Sequence, residues 1–455
     1  MPSSLQSPLG LPLDAMNGLA LYNSSFGGIF NNSIAGNALQ YNYCKAHGVE
    51  ASSYRLPQQA QEQGAKLVGL IYVQRHQKRT PDNLVPGRER DLNPAAGWEC
   101  SDIDYLSFAS QPQRNASRAA AHINAETVIE SWHPFARSIW PGSCDQGTLT
   151  RGGHDDAVDH GRALWSVYGP KGPAALLSEP TEDEIYIRTS PAPRTYQVSG
   201  GLLTGMGRNE SHGSFAVHSQ PSTIDNIVPS YSCSYASQLR TQIEQEQAWR
   251  DHLDSIQPQF NTINQALGTG NISSWNTWID HAFDFLASRQ CHGHELPAGI
   301  TQETADAMYE AGTFEYNYIW NVSPRADDYV KYSFGAFALE LARALQKIEA
   351  GSAKRAQLFI GHDGTMVRLL KTLAQSGTIR WPALGSEVVV EVWRTMDAQH
   401  FVRMLAYGQE MVTLASGLLR EDQTSPSVLD WTPLVRVVEY LYGRVPDDLV
   451  ERCIS

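Results

Sequence analysis

The chain predicts an α/β fold: a central, mostly parallel sheet flanked by helices, with a helical cap inserted. Three observations carry this. Apolar runs of strand length occur at residues 66–73 (KLVGLIYV) and 357–361 (QLFIG), and each delivers charged residues at its end. Residues 328–350 form an amphipathic helix, with Phe334, Phe337, Ala338, Leu341, Leu345 and Ile348 at helical spacing. Between the sheet-forming halves, residues 206–327 have mostly helical composition.

At 455 residues the chain can hold one large domain with an insertion, or two domains. We read residues 1–60 as an N-terminal extension packed on the main domain. Residues 61–205 and 328–455 form the α/β core, with 82–143 a long loop region beside the site and 206–327 the cap insert. With a net charge of −13, nothing suggests a nucleic-acid binder, which normally carries a basic face. No apolar run reaches the roughly eighteen residues of a membrane span.

Six cysteines (Cys44, Cys100, Cys144, Cys233, Cys291 and Cys453) include no C-x-x-C pair. They suit three disulfides whose pairing the sequence leaves open, the alternative being buried thiols. Asn23, Asn31, Asn115, Asn209, Asn271 and Asn321 begin N-x-S/T sequons, more than chance gives for this composition. The N-terminus, MPSSLQSPLGLPLDAM, has neither the basic start nor the apolar stretch of a signal peptide. Together these lead us to expect a secreted glycoprotein whose signal peptide lies outside this chain, with the cytoplasm as the alternative.

In chain order, the strand at 66–73 leads into Gln74, Arg75, His76, Gln77, Lys78 and Arg79, and Pro81 turns the chain away. Arg75 and Arg79 each offer a planar fork of donors to phosphate oxygens. His76 lies between them as a nucleophile whose neighbouring cations favour the neutral ring. Residues 82–142 are loop-like. Residues 147–168 read as a turn and a helix, with Thr150 as N-cap and Ala157, Gly161, Leu164 and Trp165 on one face. His154 and His160 read as surface positions of that helix. A second strand at 184–189 carries Arg188 and runs towards Arg194. In the insert, residues 235–256 and 275–287 read as helices. Cys291, His292 and His294 form C-H-G-H, a spacing too tight for an ordinary zinc pair. The third strand delivers His362 and Asp363 just before a helix, where open α/β sheets place ligand groups. Strands at 388–393 and 400–405 form a hairpin, and the tail covers the sheet.

The stretch Arg75-His76-Gln77-Lys78-Arg79-Thr80-Pro81 resembles the R-H-G-x-R-x-P signature of the histidine acid phosphatases, the second branch of the histidine phosphatase superfamily. His362-Asp363 resembles the H-D motif of that family, and residues 147–150 its G-x-L-T segment. Gln77 stands where the family has glycine, and Pro191-Ala192-Pro193 replaces its polar turn.

The resemblance implies phosphomonoester hydrolysis through a phosphohistidine, with His76 as nucleophile and Asp363 as proton donor. Arg75, Arg79, Arg194 and His362 then bind the phosphate, and Gln77 and Arg188 are further pocket candidates. No cofactor or metal is implied, because arginines supply the positive charge. The expected partner is a small phosphate ester, with neither nucleic acid nor membrane. Gln77 supports a second reading: a phosphate-binding pseudoenzyme, or a pocket turned to an unusual substrate.

Overall fold

The computed structural model describes residues 41–100, 104–109, 119–125, 128–273, 275–276 and 279–454. The first strand, β1 (Lys66–Arg75), is followed by a separate antiparallel hairpin, β2 (Asp104–Ala109) and β3 (Ala119–Ala125). Next come α1 (Arg151–Tyr168), β4 (Ile185–Thr189), α2 (Pro193–Gly205) and β5 (Val217–Ser219). Four helices follow: α3 (Ser234–Glu244), α4 (Gln247–Leu267), α5 (Asp280–Cys291) and α6 (Gln302–Asn317). The last runs into a π-helical turn, Tyr318–Val322. The chain closes with α7 (Ala326–Glu349), β6 (Ala356–Gly361), α8 (Asp363–Thr372), β7 (Glu387–Arg394), β8 (His400–Ala406), the short strands β9 (Gln409–Glu410), β10 (Val412–Thr413), β11 (Ser427–Val428) and β12 (Thr432–Pro433), and the helices α9 (Leu434–Tyr442) and α10 (Leu449–Ile454).

The main sheet has eight strands, seven of them in the order β12-β8-β7-β1-β6-β4-β5, with β9 on β8. β1, β6, β4 and β5 run parallel, and β7, β8 and β12 extend the sheet antiparallel from the other edge of β1. Side chains alternate across β1 and enter two cores. Ile71 and Val73 meet Phe334, Phe337 and Leu341 of α7 and Met366 of α8. Leu70 and Tyr72 meet Leu164 of α1 and Val198 and Leu202 of α2. A fully buried side chain such as Phe337 contributes about 2–3 kcal/mol. α1 and α2 cross so closely that a Cβ on Gly161 would lie 2.1 Å from the Leu202 carbonyl oxygen.

The structure departs from the sequence reading in several places. The loop-like region contains β2, β3 and a helical turn at Glu89–Leu92, which its density of Pro, Asn and Arg obscures. Residues 206–327 are not all cap, because β5 pairs in parallel with β4 at the sheet edge. The helix read at 235–256 is two helices, broken at Gln245–Glu246. There the Glu246 carboxylate accepts from the Tyr318 hydroxyl at 2.6 Å and pairs with Arg325 at 2.6 Å. His160 is buried rather than on the surface. It shares the inward face of α1 with Ala157, Gly161 and Leu164, and its Nδ1 lies 3.6 Å from Glu387.

Three disulfides, Cys44–Cys291, Cys100–Cys144 and Cys233–Cys453, use all six cysteines. In the C-H-G-H stretch, Cys291 is therefore in a disulfide. His292 is held at both ring nitrogens, by the Ser288 carbonyl at 2.6 Å and the Thr150 hydroxyl at 2.8 Å. No described helix is long and apolar enough to cross a membrane.

Candidate active site

Adjacent parallel strands bring the two charged motifs together. Arg75 ends β1 in register with Gly361 of β6, and the His76 N–H donates to the Gly361 carbonyl at 3.0 Å. His362 and Asp363 follow β6 directly, and Ser190 follows β4 on the next strand, its N–H donating to the Ile360 carbonyl at 3.1 Å. Pro193 at the first position of α2 sets the helix, and Arg194 follows it. The rings of His76 and His362 meet edge to face with centroids 5.2 Å apart.

His76 is fixed in one tautomer. Its Nδ1 lies 2.8 Å from the carbonyl oxygen of Gln77, which only accepts, so Nδ1 carries the proton and Nε2 keeps its lone pair. Burial holds the ring well below the ordinary histidine range, and Arg194, His362, Arg75 and Arg79 add to it. The ring is neutral at physiological pH.

Three guanidinium groups converge here, each held by named partners. Arg75 donates to the Pro382 carbonyl and, at 3.2 Å, to the Tyr43 hydroxyl, and pairs with Asp363 at 3.0 Å. Arg79 pairs with Asp284 of α5 at 2.8 Å and with Asp82 at 3.5 Å. Arg194 pairs with Asp82 at 3.0 Å and donates to His362 Nδ1 at 3.4 Å. Because Nδ1 of His362 accepts, its Nε2 carries the proton and donates to Ser190 Oγ at 2.8 Å. Burial first, then Arg194, lowers the His362 ring to about 3.

Asp363 sits beside this cluster. Its Oδ2 accepts from the Trp381 indole at 2.9 Å as well as from Arg75. Burial alone would raise the carboxyl, but Arg75, Trp381 and His362 outweigh it and hold it at about 2. In the unliganded site it is a carboxylate.

The structure thus gathers Arg75, His76, Arg79, Arg194, His362 and Asp363 at the carboxyl ends of β1, β4 and β6. Two candidates fall outside. Arg188 is buried in a network with Glu340, Asn226, Asp225 at 3.1 Å and Gln220 at 2.8 Å, so both terminal nitrogens of its guanidinium are used on the fold. Gln77 is buried, and its amide is directed to the Gly385 side of the chain, where a Cβ on Gly385 would lie 3.5 Å from Nε2. Among described non-glycine residues only Ala374, Ala398 and Tyr407 have positive φ, so the backbone at Gln77 is unstrained. Sequence reasoning missed Tyr43, Asp82, Asp284, Ser190 and Trp381. Asp82 directly follows the motif stretch and was open to notice. Tyr43, Asp284 and Trp381 come from distant segments with no local signal.

The chain is 24% identical over 359 residues to counting factor 60 of Dictyostelium discoideum, covering 76% of this chain and 81% of that protein. It is 22% identical over 369 residues to lysophosphatidic acid phosphatase type 6 of Bos taurus, covering 76% and 78%. Its fold matches the apo form of Hafnia alvei phytase with a TM-score of 0.51 at 15% identity, over 86% of this chain and 98% of that one. The family model of the histidine phosphatase superfamily (branch 2) matches residues 66–406, three quarters of the chain, which therefore belongs to that family.

Proposed function

We propose that this protein hydrolyses phosphomonoesters through a covalent phosphohistidine at His76. The observation that carries this is the Nδ1 contact of His76 with the Gln77 carbonyl, which leaves Nε2 free among Arg75, Arg79, Arg194 and His362. In this reading Nε2 attacks phosphorus in line and the three arginines receive the equatorial oxygens, while His362 joins them by gaining a proton at Nδ1 once the phosphate draws Arg194 away and favours a charged ring. Positioning and charge compensation are most of what phosphoryl transfer requires. Asp363 protonates the leaving alcohol and then, as a carboxylate, takes the proton of the water that cleaves the phosphohistidine.

Asp363 must gain a proton before it can act as an acid. An incoming phosphate dianion competes for the charge of Arg75 and so raises the Asp363 carboxyl. Activity should therefore rise as pH falls from neutrality. Gln77 offers no objection in this reading, because its side-chain amide makes no hydrogen bond to the arginines and its carbonyl serves the nucleophile.

Oxidised cysteines suit an oxidising compartment, so we place the protein in the secretory pathway. Asn209 and Asn271 are exposed and fit glycan acceptors. Asn321 does not, because its amide donates to Asn317 at 3.0 Å and to the Gly377 carbonyl at 3.2 Å.

The test is hydrolysis of an aryl phosphate between pH 4 and 8 by the wild type and by His76→Ala, with vanadate titration of both. Acid-favoured hydrolysis that the substitution abolishes is expected. A wild type that binds vanadate but hydrolyses nothing would move the reading to a selective or non-catalytic pocket.

A further inference from the structure

We propose that Asp82 is an internal anion that competes with substrate phosphate for Arg79 and Arg194, and so sets how tightly the pocket holds phosphate esters and released phosphate. This rests on the reading that these arginines bind phosphate.

Two carboxylates share Arg79, and the structure treats them differently. Asp284 is fixed: its side chain is 8% exposed, Oδ1 binds Arg79 at 2.8 Å, and Oδ2 accepts the N–H groups of Asp82 at 2.7 Å and Asn83 at 3.1 Å. Asp82 is 36% exposed at its side chain, and a single oxygen, Oδ2, reaches both Arg194 at 3.0 Å and Arg79 at 3.5 Å. That oxygen lies between two phosphate-type guanidinium groups.

Its place is prepared by the fold. Oδ1 packs against Gly147, where a Cβ would lie 2.2 Å away, so only glycine lets the carboxylate fold inward. The backbone at Asp82 is anchored at both ends. Its N–H goes to Asp284 and its carbonyl accepts from the Gln146 side chain. Leaving the arginines therefore needs only rotation of the side chain into solvent, with no loop movement.

The competing account is that Asp82 holds the arginines in position, as Asp284 does for Arg79. The two accounts predict opposite signs. If Asp82 competes, removing its charge strengthens anion binding. If it positions, removal weakens binding.

The experiment is calorimetric titration of inorganic phosphate and vanadate into the full chain. It uses the wild type, Asp82→Asn, Asp82→Ala and, as comparator, Asp284→Asn, each checked by thermal melting. We expect both Asp82 variants to bind about three- to tenfold tighter, the size of one partly exposed charge pair, with a lower KM for an aryl phosphate. Asp284→Asn should bind more weakly. Unchanged or weaker binding in both Asp82 variants overturns the proposal. Absence of binding even in the wild type overturns the phosphate-pocket reading as well, which separates the two failures.

Discussion

Trp381 donates its indole N–H to Asp363 at 2.9 Å while its ring is stacked between Phe283 and Tyr316, each with centroids 4.0 Å away. Loop residue and catalytic candidate are thereby locked together. The aromatic stack fixes the indole, and the indole fixes one oxygen of the carboxylate. Trp381→Phe keeps the stacking and removes the donor. The Asp363 carboxyl should then rise, and the alkaline limb of the kcat/KM profile should move to higher pH. A pH profile of the variant beside the wild type checks this.

The same carboxyl gives a linkage prediction. Its folded value, about 2, lies below the unfolded value of about 4, so its ionised form stabilises the fold. That contribution, roughly 2–3 kcal/mol, is complete above the unfolded value and is lost as pH falls through the folded one. Urea denaturation from pH 2.5 to 7 should show Asp363→Asn destabilised most at the neutral end, with the gap closing in acid. A gap independent of pH would assign the loss to packing instead.

Asp284 ties α5 to the pocket. It is buried, pairs with Arg79 and caps two backbone N–H groups. Asp284→Ala leaves the Arg79 guanidinium with the part-exposed Asp82 and the Thr80 carbonyl, and should cost about 3 kcal/mol. Asp284→Asn, which can still accept from the backbone, should cost less. Denaturation midpoints order the three proteins.

Gln77→Gly tests where the glutamine side chain points. Neither amide atom has a hydrogen-bond partner, and the group that serves His76 is the backbone carbonyl, which glycine retains. We expect kcat within about threefold of wild type and a small loss of stability from the freer backbone. A much larger change in kcat would place the side chain in the reaction.

How much of this the sequence disclosed depended on distance along the chain. His76 and its arginines occupy one strand end, and His362-Asp363 another, so short patterns and the apolar runs before them were enough. Arg194 read as a phosphate ligand and Arg188 as a further pocket candidate, since both lie at or just beyond the end of β4. Only packing shows that Arg188 faces Glu340 and Asp225 across the sheet, whereas Arg194 starts a helix aimed at the site. His160 was misplaced because a polar residue on the inward face of a helix breaks the apolar pattern that marks burial. Partners brought from afar, Tyr43, Asp284 and Trp381, leave no trace until the chain is folded.

The Cys44–Cys291 bond joins the segment bearing Tyr43, a partner of Arg75, to the helix bearing Asp284, a partner of Arg79. Synthesis proceeds from the N-terminus, so Cys44 waits with an unpaired thiol until Cys291, 247 positions further on, is made. Cys100 and Cys144, 44 positions apart, meet first. A nascent chain must therefore avoid joining Cys44 to either of them. Production in a reducing cytosol, or without a disulfide isomerase, should yield chains whose α/β core is formed but whose arginines lack their fixed mounts.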